Sequence, residues 1–196
     1  MSRISKIPVE HWDPELVALT GGDTATAIEQ GITRMLAHCP EMALGAIGFG
    51  ASIAMNRTLP ERLVELVRLR VAFHNQCRSC MAIRYSSAAQ EVDEGLVCSL
   101  EKPQEAADLT AAEHAALEFA DLFATDHLAI TDQRFAALRE HFSEAQTMEL
   151  MLHLALYVGM GRLAATLDMT EELPASFQAA FGETVTPWGG DPVQVS

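Results

Sequence analysis

The chain has 196 residues with a formal charge of −14, and 49% of its residues are hydrophobic. That length suits one well-buried domain with room for an extra helical arm, while the acidic balance disfavours nucleic acid and anionic membrane surfaces, which need clustered Lys and Arg. The opening Met1-Ser2-Arg3-Ile4-Ser5-Lys6-Ile7-Pro8 reads as no signal peptide, and no stretch approaches the ~18 to 20 uncharged apolar residues of a membrane span, so the expectation is a soluble cytoplasmic protein with no membrane partner.

Asp13-Pro14-Glu15 predicts a helix start, with Asp as N-cap and Pro at the first helical position, and Gly21-Gly22-Asp23 breaks that element. A helix follows from about Thr24 to His38. Pro40 opens the next, Glu41 to about Asn56, in which Gly45, Gly48 and Gly50 weaken the helix but allow close packing. Thr58-Leu59-Pro60-Glu61 has the form of a capping box and leads into a Leu- and Val-rich helix from Glu61 to about His74, expected to be buried. Asn75 then caps a further helix, Gln76 to about Gln90. Glu91 to Gly95 reads as a helix terminus or a short turn, and Glu101-Lys102-Pro103 as a loop. Thr110 with Glu113 forms a second box and opens a helix to about Ala124. Thr131-Asp132 starts a short helix to about His141. Ser143 with Gln146 forms a third box, ahead of a long apolar helix reaching about Leu167. After Pro174 the Pro, Gly and polar content is that of a tail. No strand alternation is visible, and the predicted class is all-α. Residues 1–175 form one helical domain in this reading, with 1–39 as an N-terminal helical extension and 176–196 as a C-terminal tail.

Chemistry concentrates at Cys77-Arg78-Ser79-Cys80. Four cysteines in a cytoplasmic chain do not suggest structural disulfides, and isolated Cys39 and Cys98 are expected to serve packing. The CxxC spacing instead places two thiols one turn apart at a helix start, where one can be a reactive thiolate and the other can resolve it. There is no second CxxC and no nearby His pair at ligand spacing, which argues against a zinc site. If the helices before and after Asn75 fold back antiparallel, Glu65 and Arg84 meet across the hairpin, and Cys80 and Arg84 share a helix face. Arg84 would then stabilise a Cys80 thiolate or be locked to Glu65. His74 lies near Cys77 across the joint, as a structural histidine or a proton carrier. His153 sits mid-helix in an apolar run, with Tyr157 on the same face and Arg162 near the helix end. It is either a hydrogen-bonded core histidine or a pocket residue.

Leu59-Pro60-Glu61, Glu65-Leu66-Val67-Arg68-Leu69-Arg70-Val71-Ala72 and Asn75-Gln76-Cys77-Arg78-Ser79-Cys80 together resemble the alkylhydroperoxidase AhpD-like branch of the carboxymuconolactone decarboxylase family. The segments from Pro40 to Asn56 and from Glu149 to Asp168 resemble it more loosely. The resemblance implies an AhpD-like helical domain assembled into homo-oligomers, trimers or hexamers, and a peroxidase or disulfide reductase using no metal or organic cofactor. It implies that peroxide oxidises Cys80 to a sulfenic acid, that Cys77 closes the disulfide, and that an external dithiol resets the pair. Glu65 takes the place of the family's relay glutamate. Where relatives with established peroxidase chemistry carry histidines, this chain has Ser79 and Arg84, and arginine does not titrate near neutral pH. Two alternatives stand beside the peroxidase: a non-peroxidatic redox sensor or scaffold with a CxxC switch, and a decarboxylase-like enzyme in which the thiols are incidental.

Overall fold

The computed structural model describes residues 2–195. Its helices are α1 (Pro14–Thr20), α2 (Ala27–Gln30), α3 (Thr33–Leu36), α4 (Pro40–Met55), α5 (Glu61–Asn75) and α6 (Arg78–Ala82). After strand β1 (Ile83–Tyr85) come α7 (Glu94–Ser99), α8 (Ala111–Thr125), α9 (Asp132–Arg139), α10 (Glu144–Leu167) and strand β2 (Val193–Val195). The class is all-α, as the sequence predicts, with one small parallel strand pair added among the described residues.

α5 is the central helix, with α10 and α8 packed against it. Leu66, Val67, Leu69 and Val71 are fully buried and join Leu117 and Ala120 of α8 and Leu150 and Leu154 of α10 in the main core. By length and composition α10 could cross a membrane, contrary to the reading of its sequence. Here one face of it is core, with Leu150, His153, Leu154, Gly161 and Ala164 buried. Gly161 is required by close approach: a Cβ there would lie 2.5 Å from Asn75 Nδ2 at the end of α5. That amide donates to the Tyr157 carbonyl at 2.9 Å, which ties the two helices at the joint.

The local signals for α1, α8 and α10 hold. Asp13 caps α1 through Glu15 N, and the boxes Thr110/Glu113 and Ser143/Gln146 both form. The Thr58/Glu61 box does not. Pro60 is the N-cap residue and makes no side-chain bond, while Thr58 Oγ1 donates to Glu149 on α10 instead. The helix expected between Thr24 and His38 is split into α2 and α3 by Gly31, at φ 39°. The extension runs onto α4, where Trp12 and Leu16 pack with Ala43. Lys6 pairs with Glu171 and Glu172, and Arg34 with Glu172, just beyond α10.

Two further expectations are corrected. Asn75 does not cap a long helix, because it is the last residue of α5. The helix after it, α6, ends after five residues and gives way to β1. The segment read as a tail is not free of the core: Phe177 and Val185 are buried with Met81 and Ala82, and β2 pairs in parallel with β1, Ile83 opposite Val193 and Tyr85 opposite Val195.

Candidate functional site

α5 stops because Gln76 adopts a left-handed backbone, φ 50°, that reverses the chain. Cys77 becomes the N-cap of α6, its Sγ accepting from Cys80 N at 3.3 Å. Cys77 and Cys80 form a disulfide with their Cα atoms 5.2 Å apart. The two halves are unequal: Cys77 is 0% exposed, whereas Cys80 keeps part of its surface. Ser79 is also partly exposed, its hydroxyl 3.6 Å from Cys77 Sγ. Cys39 and Cys98 are both exposed free thiols, not packed ones.

The chain does double back along α5, but through a residue that sequence reasoning passed over. Arg68 Nη1 donates to the Cys80 carbonyl at 2.7 Å, and Nη2 to the Ile83 carbonyl at 3.0 Å. Its Nε and Nη2 grip both oxygens of Glu65 at 2.6 and 2.7 Å. The two side chains are 7% and 5% exposed. Burial alone would make the Arg68 guanidinium easier to deprotonate, but the charge and the hydrogen bonds of Glu65, with smaller contributions from Tyr85 and Tyr157, together outweigh it and raise the pKa. The Arg68 guanidinium also lies 5.0 Å from the Tyr85 ring. The signal in the sequence was a second charge three residues from Glu65 on a helix expected to be buried.

Glu65 and Arg84 line one small cavity but pair with other residues, Arg68 and Glu94. Because α6 ends at Ala82, Arg84 lies on β1 and no longer shares a helix face with Cys80. Its guanidinium binds Glu94 at 2.8 and 3.1 Å and donates to the carbonyls of Met81 and Pro187, each at 2.8 Å. His74 does not face the thiols. Its Nε2 is 2.6 Å from Asp121 Oδ1, a carboxylate that Arg70 also binds. Burial would raise the Asp121 pKa, but hydrogen bonds from His74 and Arg70 hold it below the usual range.

His153 and Tyr157 are brought together: His153 Nδ1 is 3.1 Å from the Tyr157 hydroxyl. Both line a cavity of about 360 Å3 between α4, α5 and α10, whose wall also carries Glu65, Arg68 and Tyr85. Arg162 is directed elsewhere, to Asn75 and the Ala124 carbonyl. A second cavity of about 330 Å3 opens beside Ser79 and Arg78, bounded by Asp168 and by Phe181 to Thr184.

The C-terminal segment lies over the motif. The Gln76 side chain donates to the Val185 carbonyl and accepts from Val185 N, at 3.1 and 2.8 Å. Arg78 donates to the Ala180 carbonyl, and the Trp188 ring sits 4.8 Å from Phe73. No feature of the sequence announced this strap.

Neither a known family model nor a curated protein matches the chain. Solved structures do. An alkylhydroperoxidase AhpD core from Ralstonia eutropha, an uncharacterized peroxidase-related protein, aligns with a TM-score of 0.68 at 19% identity, over 90% of this chain and 94% of that one. The debrominase Bmp8 aligns with a TM-score of 0.72 at 18% identity, over 91% and 95%. A cysteine-to-alanine variant of Bmp8 in complex with 2,3,4-tribromopyrrole gives 0.69 at 17% identity, over 91% and 96%. At these identities the likeness establishes architecture, and the chain has the AhpD-like helical fold.

Proposed function

We propose that this protein is a thiol-dependent oxidoreductase whose Cys77–Cys80 pair reduces organic hydroperoxides. The observation that carries the reading is the closed CxxC disulfide in an AhpD-like fold, with Cys77 buried and Cys80 partly exposed. In the reduced state the exposed position makes Cys80 the attacking thiolate. It takes the terminal peroxide oxygen, releases the alcohol and becomes a sulfenic acid. Cys77 then attacks that sulfur and water leaves. The sum is dithiol plus ROOH giving disulfide, ROH and water, and an external dithiol returns the pair to its starting state. Glu65 and Arg68 serve as positioning residues, because both are committed to each other and to the Cys80 and Ile83 carbonyls.

The test mixes reduced protein with cumene hydroperoxide and follows thiols and peroxide together. Both should fall in step, Cys80→Ser should stop the loss, and Cys77→Ser should leave a trappable sulfenic acid. Consumption at the background rate by all three proteins would end the reading. A second reading is favoured by the likeness to Bmp8 together with the largely apolar cavity against Glu65 and Arg68. In it the dithiol reduces a carbon–halogen bond, giving disulfide, R–H, halide and a proton. Bromide release from a bromopyrrole separates the two.

Homo-oligomerisation belongs to the same proposal. Met42, Phe49 and Met55 on α4, with Met148, Leu152 and Leu163 on α10, are exposed apolar side chains, and a second copy of the chain is the occupant that would cover them. Light scattering of wild type and Met55→Glu tests it. A wild-type mass equal to the monomer refutes it, and a mass that also changes on oxidation would favour the redox-sensor alternative.

A further inference from the structure

Cys77 is fully buried, and the cations of the neighbouring elements are engaged elsewhere. Arg78, between the two cysteines, pairs with Asp168 and donates to the Ala180 carbonyl. On α5, Arg68 is paired with Glu65 and His74 is held by Asp121. On β1, Arg84 is paired with Glu94. Among the described residues, two groups make a hydrogen bond to Cys77 Sγ: Cys80 N at 3.3 Å and the Ser79 hydroxyl at 3.6 Å. With the disulfide closed Cys77 carries no proton, so the hydroxyl is the donor. Ser79 makes no other side-chain hydrogen bond among the described residues. It is partly exposed and lines the cavity beside Arg78, so nothing else competes for its proton.

The value of that bond depends on the redox state. A disulfide sulfur is a weak acceptor, whereas a thiolate is charged, and hydrogen bonds to a charged group are roughly twice as strong as neutral ones. A buried thiolate without donors is costly, and apolar surroundings push a thiol toward its protonated form. Two events place the charge on Cys77. In the first, an external dithiol attacks as its thiolate and meets the partly exposed Cys80. The Cys77–Cys80 bond breaks, and its electron pair leaves on Cys77. The second sulfur of the reductant then displaces Cys80. The sum is protein disulfide plus external dithiol giving protein dithiol plus external disulfide. In the second event Cys77, as the thiolate, attacks the Cys80 sulfenic acid and water leaves.

We propose that the Ser79 hydroxyl is the side-chain donor that stabilises Cys77 as a thiolate, both when it leaves during reduction of the pair and when it closes the disulfide. The first role needs only a redox-active pair, and the second rests on the hydroperoxide reading above. Ser79 thus acts on the buried partner of the pair, not on the cysteine that meets the substrate.

The test follows thiolate absorbance against pH in chains that carry Cys39→Ser and Cys98→Ser, since both of those thiols are free. With Cys80→Ser added, Cys77 is the thiol left to titrate. Ser79→Ala should raise its pKa by about one pH unit, the size of one hydrogen bond to a charged group, and Ser79→Thr should leave it near the Ser79 value. With Cys77→Ser instead, the Cys80 pKa should not respond to Ser79→Ala. With both motif cysteines present, Ser79→Ala should slow reduction by dithiothreitol about threefold, the effect of a tenfold change in acidity at a Brønsted sensitivity of roughly 0.5, and Ser79→Thr should restore the rate. A Cys77 pKa that does not move overturns the proposal. So does a Cys80 pKa that moves as far, or a threonine variant that behaves like the alanine one. None of these measurements uses a peroxide, so a chain inert to cumene hydroperoxide would end the functional reading and leave the Ser79 assignment to stand or fall on its own.

Discussion

Arg68→Met is the sharpest test of how the site is held. Arg68 is buried, paired through two nitrogens with an equally buried Glu65, and is the donor to the carbonyls of Cys80 and Ile83. Removing it leaves the Glu65 charge uncompensated in the core, which costs about 3 to 5 kcal/mol, and the Cys80 carbonyl loses its side-chain donor as well, whereas the Ile83 carbonyl keeps Arg84 Nη1. The melting temperature of a chain this size should fall by roughly 10 °C. The double variant Glu65→Leu/Arg68→Met removes both charges and should regain most of that loss, since an apolar pair of similar volume is close to neutral in such positions. Urea unfolding of the oxidised protein measures both. A single-variant loss below about 1 kcal/mol, the size expected of an exposed ion pair, would refute the reasoning, and so would a double variant no more stable than the single one.

Arg84→Met should leave the Cys80 thiol pKa in the reduced protein unchanged, because the guanidinium is spent on Glu94 and on the Met81 and Pro187 carbonyls; a measured rise would restore it as the activating cation. Its stability cost should be about 1 to 3 kcal/mol for carbonyls left without a donor, since Glu94 is 48% exposed and can rehydrate. Acid should destabilise the fold. Burial alone would raise Glu113, Glu149 and Glu172, but donors such as Arg62, Thr58 and Arg34 hold them below the usual range, and Glu171 beside Lys6 is lowered to about 2. Depressed carboxylates contribute stability above the unfolded value of 4.5, and it is lost as pH falls toward 2. His153, kept neutral by burial, adds loss below its unfolded value of 6.5, where only the unfolded chain takes the proton. Urea midpoints that stay flat or rise from pH 7 to 3 would contradict this. Gln76→Gly keeps the positive φ but frees Val185 of both its bonds to the side chain, and should speed reduction of the disulfide by a protein dithiol by up to about thirtyfold if each of the two lost bonds is worth near 1 kcal/mol; equal rates in the variant and wild type would show that the strap does not guard the pair.

What was legible in the sequence was what short-range chemistry decides. The Thr110/Glu113 and Ser143/Gln146 boxes are closed by residues three apart, so α8 and α10 begin where their sequences say. The Thr58/Glu61 spacing is the same, yet Thr58 gives its hydroxyl to Glu149 on a distant helix, a partner no window around residue 58 contains. The loss of the long second arm has the same origin. Ile83-Arg84-Tyr85 is too short to show strand alternation, and it becomes a strand because Val193–Val195 arrives from the other end of the chain to pair with it.

That one long-range pairing accounts for how the candidate site changed. With α6 ending at Ala82, the four-residue spacing from Cys80 to Arg84 no longer implies a shared face, and the cation expected beside the thiol moves to Glu94. The fold-back itself survives, because Gln76 reverses the chain locally, and its consequence falls on Arg68, which meets the returning backbone at Cys80 and Ile83. Glu65 keeps the place the motif assigned it but has a different partner. A carboxylate that gives both oxygens to a buried guanidinium is suited to holding that guanidinium against the Cys80 carbonyl, and poorly suited to shuttling protons. His153, whose Nε2 lacks a hydrogen-bond partner among the described residues, lines the same cavity as Arg68. The spacing of residues around the cysteines could not reveal it, because α10 carries it in from residues far along the chain.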